Sequence, residues 1–305
     1  MRRTVLSLLV IGLAAVAIPP LWYRLFPVTE PELPAPGRRV VLASGVGLNV
    51  LEEGAGPPVL LVHGLPGSAY DWRLTSAALA AQGRRAIAYD RAGYGWSDAH
   101  PDGVASLASN ATDLLQLLDA LGLSGVTLVG HSYGGATAIV AATKDPSRIA
   151  RIVLVASAGP GMEKAQPPQA VARVVFSEPV LRWLHAVPPL AHAAQDSASG
   201  AAFSGGPEPS WWAPTLAANF ARPHTPDTWR KEGSGLASGP LPDASRIALP
   251  ILVIHGDADR LVPVEVGREL ARRARNARLV LVGGGSHMLP VTHAELLAAD
   301  IASFH

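Results

Sequence analysis

The chain has 305 residues, 49% of them hydrophobic and 16% charged, with a net charge of +1. Such a composition can bury a large core and excludes a mostly disordered chain, and its scattered basic residues offer no clustered face for nucleic acid. The absence of cysteine excludes disulfides, thiolate metal sites and a cysteine nucleophile.

The chain opens with Arg2-Arg3 and an apolar run from Val5 to Ile18, the pattern of an export signal. Two outcomes compete for residues 1–28. Ala15-Val16-Ala17 resembles the small-residue pattern before a signal-peptidase cut, which would leave an exported soluble protein. Alternatively the apolar run continues to Phe26, with Trp22 and Tyr23 at the interface, and nears the roughly 20 residues that span a bilayer. The uncut anchor is the preferred reading. It keeps Arg2 and Arg3 in the cytoplasm and places the rest outside. Residues 29–37 read as a Pro-rich linker.

From Arg38 the texture changes. Val40–Leu42 and Leu48–Leu51 read as strands around the turn Ser44–Gly47. Short continuous apolar runs at 59–62, 86–89, 126–129, 152–155, 251–254 and 279–282 read as strands buried on both faces. Helical patterns lie between them; one is Leu107 to Leu121, with Leu114, Leu117, Leu118 and Leu121 on one face. The alternation predicts an α/β fold with a mostly parallel, doubly wound sheet of eight strands. Residues 160–245 interrupt it. They hold 13 of the 27 prolines and 4 of the 7 tryptophans, and no clear core strand. Short helical stretches such as Val171 to Val187 predict an inserted helical lid, which divides the core into residues 38–159 and 246–305. Trp183, Trp211 and Trp212, with Trp229, suggest an apolar pocket, although for any single one of them packing the lid on the core is the stronger reading.

Gly130-His131-Ser132-Tyr133-Gly134 follows a predicted strand directly and precedes a helical run from Gly135 to Ala142. Strand, tight turn and helix together form the context of a nucleophile elbow. Small neighbours permit the strained turn that lifts the serine hydroxyl above the sheet, and the helix N-terminus favours developing negative charge. A serine needs a base. Of the ten histidines, His287 lies in a glycine-rich loop just after the last predicted strand, where open α/β sheets build their sites. Asp259 lies just after the strand at 251–254. Its rival, Asp257, is read as capping the turn. In this reading His287 takes and returns the serine proton, while Asp259 fixes the imidazole tautomer. His63-Gly64-Leu65-Pro66-Gly67 follows the strand at 59–62, and its glycines permit close approach of backbone to substrate. The N–H groups of Leu65 and Tyr133 are the candidate oxyanion donors.

With these motifs in hand, the chain resembles the α/β-hydrolase superfamily from about residue 38 to the C-terminus, least across the lid. His63–Ser68 resembles the oxyanion loop, Gly130–Gly135 the elbow, and Gly256–Pro263 the acid loop with its second Asp in the acid position. Asp90–Ser97 resembles a structural segment of the family. The oxyanion loop with Asp71-Trp72 is also similar to epoxide hydrolases and haloalkane dehalogenases. Those relatives use an Asp nucleophile where this chain has Ser132, and the lid has no tyrosine for ring opening.

The resemblance implies a hydrolase of a carboxylic ester of a small, largely apolar substrate. A lactone, an amide or a carbon–carbon bond suits the same residues. A membrane-tethered binding module without catalysis is the reading from another class, and the presence of every expected group speaks against it. No metal or organic cofactor is implied, and the oligomeric state is unreadable. Activity should fall as His287 is protonated; model histidine titrates near 6.5.

Overall fold

The computed structural model describes residues 37–164, 199–220, 222 and 224–305, with scattered positions between 17 and 25 and between 174 and 197. Most of the expected N-terminal segment and linker, and most of the predicted helix Val171–Val187, lie outside the described residues. Among the described residues no helix is long and apolar enough to cross a membrane.

Eight strands form one sheet: β1 (Arg38–Val41), β2 (Gly47–Glu53), β3 (Pro58–Val62), β4 (Arg85–Tyr89), β5 (Val126–His131), β6 (Ile149–Val155), β7 (Ile251–Gly256) and β8 (Ala277–Val282). Their order is β1-β2-β4-β3-β5-β6-β7-β8. β2 pairs antiparallel with β1 and with β4; every other pair is parallel. All eight predicted strands are present. In β3 to β7 the apolar runs arise because successive side chains alternate faces and both faces are covered, whereas in the edge strand β8 Leu279 and Val280 are only half-buried and Leu281 is exposed, against the expectation for 279–282. In β3, Leu60 and Val62 join one core with Leu114 and Leu117, whereas Val59 and Leu61 join the other with Leu79 and Leu297. Each such side chain contributes about 1.5–3 kcal/mol on burial.

The helices supply those covers. α1 (Arg73–Ala81) and, at the C-terminus, Ala294–Ser303 close one face. α2 (Leu107–Ala120) and α3 (Tyr133–Lys144) close the other, joined by Val264–Arg273. α2 starts where Ser106 caps it, its hydroxyl accepting the Ser109 N–H at 3.1 Å. Replacing such a cap by Ala costs about 1 kcal/mol.

Between β6 and β7 lies the predicted insertion. Its longer described helices are α4 (Trp212–Phe220) and α5 (Thr225–Ser238). They dock on the loops after β3 and β4. Asn219 Nδ2 donates to the Gly67 carbonyl (2.8 Å), Asn219 Oδ1 accepts the Gly95 N–H (2.6 Å), and Thr225 Oγ1 donates to the Gly93 carbonyl (3.0 Å). The same loops follow the carboxyl ends of parallel strands, so the insertion stands over the end of the sheet where a site is expected.

Candidate active site

Ser132 is the hinge between β5 and α3. Its backbone is at φ 53°, ψ −118°, a region that non-glycine residues rarely enter. Such strain costs about 1–3 kcal/mol and persists only where the surroundings impose it. They do so through close backbone approach. A Cβ on Gly130 would lie under 3.0 Å from the carbonyl of Gly134, and one on Gly134 under 3.0 Å from the carbonyls of Val62 and His63. Gly130 therefore lets the turn close on itself, and Gly134 lets it press against the end of β3. The Ser132 side chain stands partly exposed, while His131 and Tyr133 on either side are buried.

The loops after β7 and β8 bring the other two candidate residues together. The Ala258 N–H donates to the Gly285 carbonyl (3.0 Å), and the Asp257 N–H to the Val282 carbonyl (3.1 Å). Across this join His287 Nδ1 lies 2.7 Å from Asp259 Oδ2. A carboxylate there accepts, so Nδ1 carries the proton and Nε2 is left as the acceptor. Asp259 Oδ1 takes the N–H groups of Leu261 (2.8 Å) and Val262 (2.9 Å). Burial works to raise the Asp259 carboxyl. The His287 charge, hydrogen bonds from His255 and His287 and the Val262 N–H outweigh it and hold the group below the usual carboxylate range. Asp257 is exposed and accepts the Gly284 N–H at 2.7 Å, so it braces the loop rather than the imidazole.

The oxyanion loop lies against the elbow: a Cβ on Gly64 would sit 3.1 Å from Ser132 Cβ. His63 is fully buried. Its Nε2 accepts the Arg91 N–H (2.9 Å) and its Nδ1 donates to the Gly64 carbonyl (2.9 Å). Burial, then the Arg91 charge, push its pKa well down, so the ring is neutral and serves as a brace. Among the described residues, the N–H groups of Leu65 and Tyr133 have no hydrogen-bond partner.

A cavity of about 60 Å³ adjoins His287. Its walls include Gly64–Pro66 from the oxyanion loop, with Ala202, Trp212, Leu216 and Met288 among its apolar lining. Of the tryptophans expected to form a pocket, Trp212 lines it. Trp211 does not; it packs on Trp212 (6.1 Å between ring centroids) with the Arg73 guanidinium 4.8 Å from its ring. Trp183 is half-buried and lies off the cavity wall. The large indole faces there serve packing, as amphipathic rings do at the edge of a core.

Sequence reasoning missed several residues of this region. Asp71 lines the cavity, and burial, with Asp90 adding to it, pushes its carboxyl well above the usual range against the opposing Ser68 backbone. His131 braces the His287 loop, and Arg91 with Glu232 forms a buried ion pair beside the oxyanion loop. Arg91 lay within a segment read as structural. Glu232 carried no local signal, because its partner is remote in sequence.

Comparison with known proteins agrees with this fold. The family model for the alpha/beta hydrolase fold matches residues 57–294. A 2-hydroxymuconate semialdehyde hydrolase of Pseudomonas sp. (strain CF600) is 31% identical over 285 residues, covering 91% of this chain and 95% of its own. An epoxide hydrolase of Caballeronia sordidicola is 45% identical, but over 109 residues, or 35% of this chain and 33% of its own. An esterase structure from Exiguobacterium antarcticum superposes with a TM-score of 0.75 at 20% identity, covering 88% of this chain and 98% of that one. The chain belongs to the alpha/beta hydrolase fold family and is a hydrolase-type enzyme of that fold.

Proposed function

We propose that the protein is a serine hydrolase that cleaves a carboxylic ester of a small, largely apolar substrate through an acyl-serine intermediate. The observation that carries the reading is the pairing of His287 with Asp259 at 2.7 Å, at the end of the sheet where Ser132 is held in its strained elbow. Ser132 Oγ attacks the ester carbonyl carbon and its proton passes to His287 Nε2. The carbonyl oxygen becomes an oxyanion facing the N–H groups of Leu65 and Tyr133. The carbon–oxygen bond to the alcohol then breaks, and the alcohol leaves with the proton from His287. Water repeats the sequence: its proton goes to His287, its oxygen bonds the acyl carbon, and Ser132 Oγ leaves and recovers a proton. Asp259 orients the imidazole and stabilises its cation without taking the proton.

Ser132 stands where an epoxide-opening relative needs a carboxylate, which favours acyl transfer over ring opening. The similarity to a 2-hydroxymuconate semialdehyde hydrolase supports a second reading, hydrolysis of a substrate of that kind by the same residues. A fluorophosphonate probe, compared between wild type and Ser132→Ala, tests the nucleophile; p-nitrophenyl acetate and a semialdehyde panel then separate the substrates. Equal absence of labelling and turnover in both proteins would sink the reading. The basic start and apolar run of residues 1–28 support a tether that holds the domain outside the cytoplasm. Membrane fractionation of the full chain against one lacking residues 1–28 tests that part.

A further inference from the structure

Arg91 and Glu232 are both fully buried and face each other at 2.6 Å. A buried ion pair is a poor source of stability, because desolving two charges offsets their attraction. Its contacts indicate another role. Arg91 Nη1 donates to Glu232 Oε1 and, at 3.1 Å, to Asn110 Oδ1. Arg91 Nη2 donates to the Gly64 carbonyl at 2.9 Å. Glu232 is held in turn by Asn110 Nδ2 (2.5 Å) and the Tyr94 hydroxyl (2.9 Å). The guanidinium also lies 4.7 Å from the ring of Tyr133.

The Gly64 carbonyl is the other end of the peptide group that carries the Leu65 N–H. In a trans peptide the two point in opposite directions in one plane. The carbonyl takes donors from His63 on one hand and the Arg91 cation on the other. Two donors on that oxygen fix the plane and polarise the opposite N–H, the more so because one of them is charged. Arg91 is itself aimed by Glu232, which lies on α5 of the insertion, 141 residues away in sequence.

We infer that Glu232 is a positioning residue for the oxyanion hole: through Arg91 it holds the Gly64–Leu65 peptide with its N–H turned to the substrate, so the donor is aligned while α5 is docked. The inference rests on the acyl-transfer reading above. It makes the insertion part of the machinery rather than a cover alone.

The test uses the full chain carrying Arg91→Met together with Glu232→Leu, a replacement of a buried pair by apolar side chains that such sites can tolerate. Glu232→Gln is the conservative companion, since it keeps a neutral acceptor for Arg91. Stability is followed in urea, turnover with p-nitrophenyl acetate, affinity with phenylboronic acid, and the Leu65 N–H by its NMR resonance. In the folded pair variant kcat should fall by about 10- to 100-fold with KM within about threefold, and phenylboronic acid should weaken by the same factor as kcat. The Leu65 N–H should move upfield, and Glu232→Gln should lie between this variant and wild type in every readout. Wild-type kcat and phenylboronic acid affinity in a folded pair variant would overturn the inference, as would a kcat loss with Leu65 unmoved. If the pair variant does not fold, Glu232→Gln decides alone: unchanged kcat and an unchanged Leu65 resonance overturn the inference. If wild type neither turns over esters nor binds phenylboronic acid, the hydrolase reading fails, and the Leu65 resonance still decides whether Glu232 holds the peptide.

Discussion

His131 Nε2 donates to the backbone carbonyl of His287 at 2.9 Å. The residue before Ser132 therefore braces the loop that carries the candidate base, across 156 positions of sequence. A carbonyl only accepts, so Nε2 must hold the ring proton and Nδ1 is bare. Nδ1 has no partner among the described residues. The ring is buried in its neutral form.

Burial, then the His287 charge, push the His131 pKa down to about 3. An unfolded histidine titrates near 6.5, so between these values the unfolded chain binds a proton that the folded one refuses. This group carries no penalty above about pH 6.5 and destabilises the fold increasingly as pH falls toward 3. His131→Gln keeps a donor near Nε2 and loses the titration. Between pH 7 and pH 4.5 wild type should lose about 2–3 kcal/mol more than the variant in urea denaturation. Parallel losses would show that His131 does not carry this effect.

Asp259→Asn leaves a near-isosteric side chain that does not favour the His287 tautomer with Nε2 free. Turnover of p-nitrophenyl acetate should drop by about 10³- to 10⁴-fold. The lowered Asp259 pKa also contributes stability that is complete above the unfolded value near 3.8 and is lost as pH falls through the folded one. The variant should lack that acid-dependent part of the stability curve. Full activity in a folded Asp259→Asn protein would remove the residue from the mechanism.

Gly134→Ala should destabilise the protein by about 1–3 kcal/mol, because the added methyl meets the carbonyls of Val62 and His63. Gly283 offers a control, since a Cβ there meets nothing within 4 Å. Gly283→Ala should stay within about 0.5 kcal/mol of wild type. Equal denaturation midpoints for all three proteins would contradict the tight packing of the elbow on β3.

Trp212→Leu removes an indole ring from the cavity wall. The ratio of kcat/KM for p-nitrophenyl hexanoate over the acetate should rise by about tenfold, the scale of one or two methylenes in an apolar pocket. An unchanged ratio would place the acyl group elsewhere.

Much of this molecule is local and therefore legible. The runs at 59–62 and 251–254 are apolar without interruption, and that at 126–129 is broken only by Thr127, because helices cover both faces of their strands, and β3, β5 and β7 form there. The turn chemistry of Gly130–Gly134 and the glycine-rich loop before His287 are likewise local, since a strained backbone restricts its own neighbours. Position just after the last two predicted strands, with the resemblance of the acid loop, singled out Asp259 and His287, which the structure brings to 2.7 Å. What the sequence could not decide were partners chosen by packing. Trp211 and Trp212 are adjacent and alike in sequence, yet Trp212 alone of the pair lines the cavity, because Trp212 begins α4 whereas Trp211 lies in the turn before it, against the Arg73 guanidinium. Glu232 meets Arg91, and Asn219 meets Gly67, only once the insertion docks. A charge in a chain is solvated by default, and only the fold's exclusion of water turns Arg91 and Glu232 into a pair that must satisfy each other.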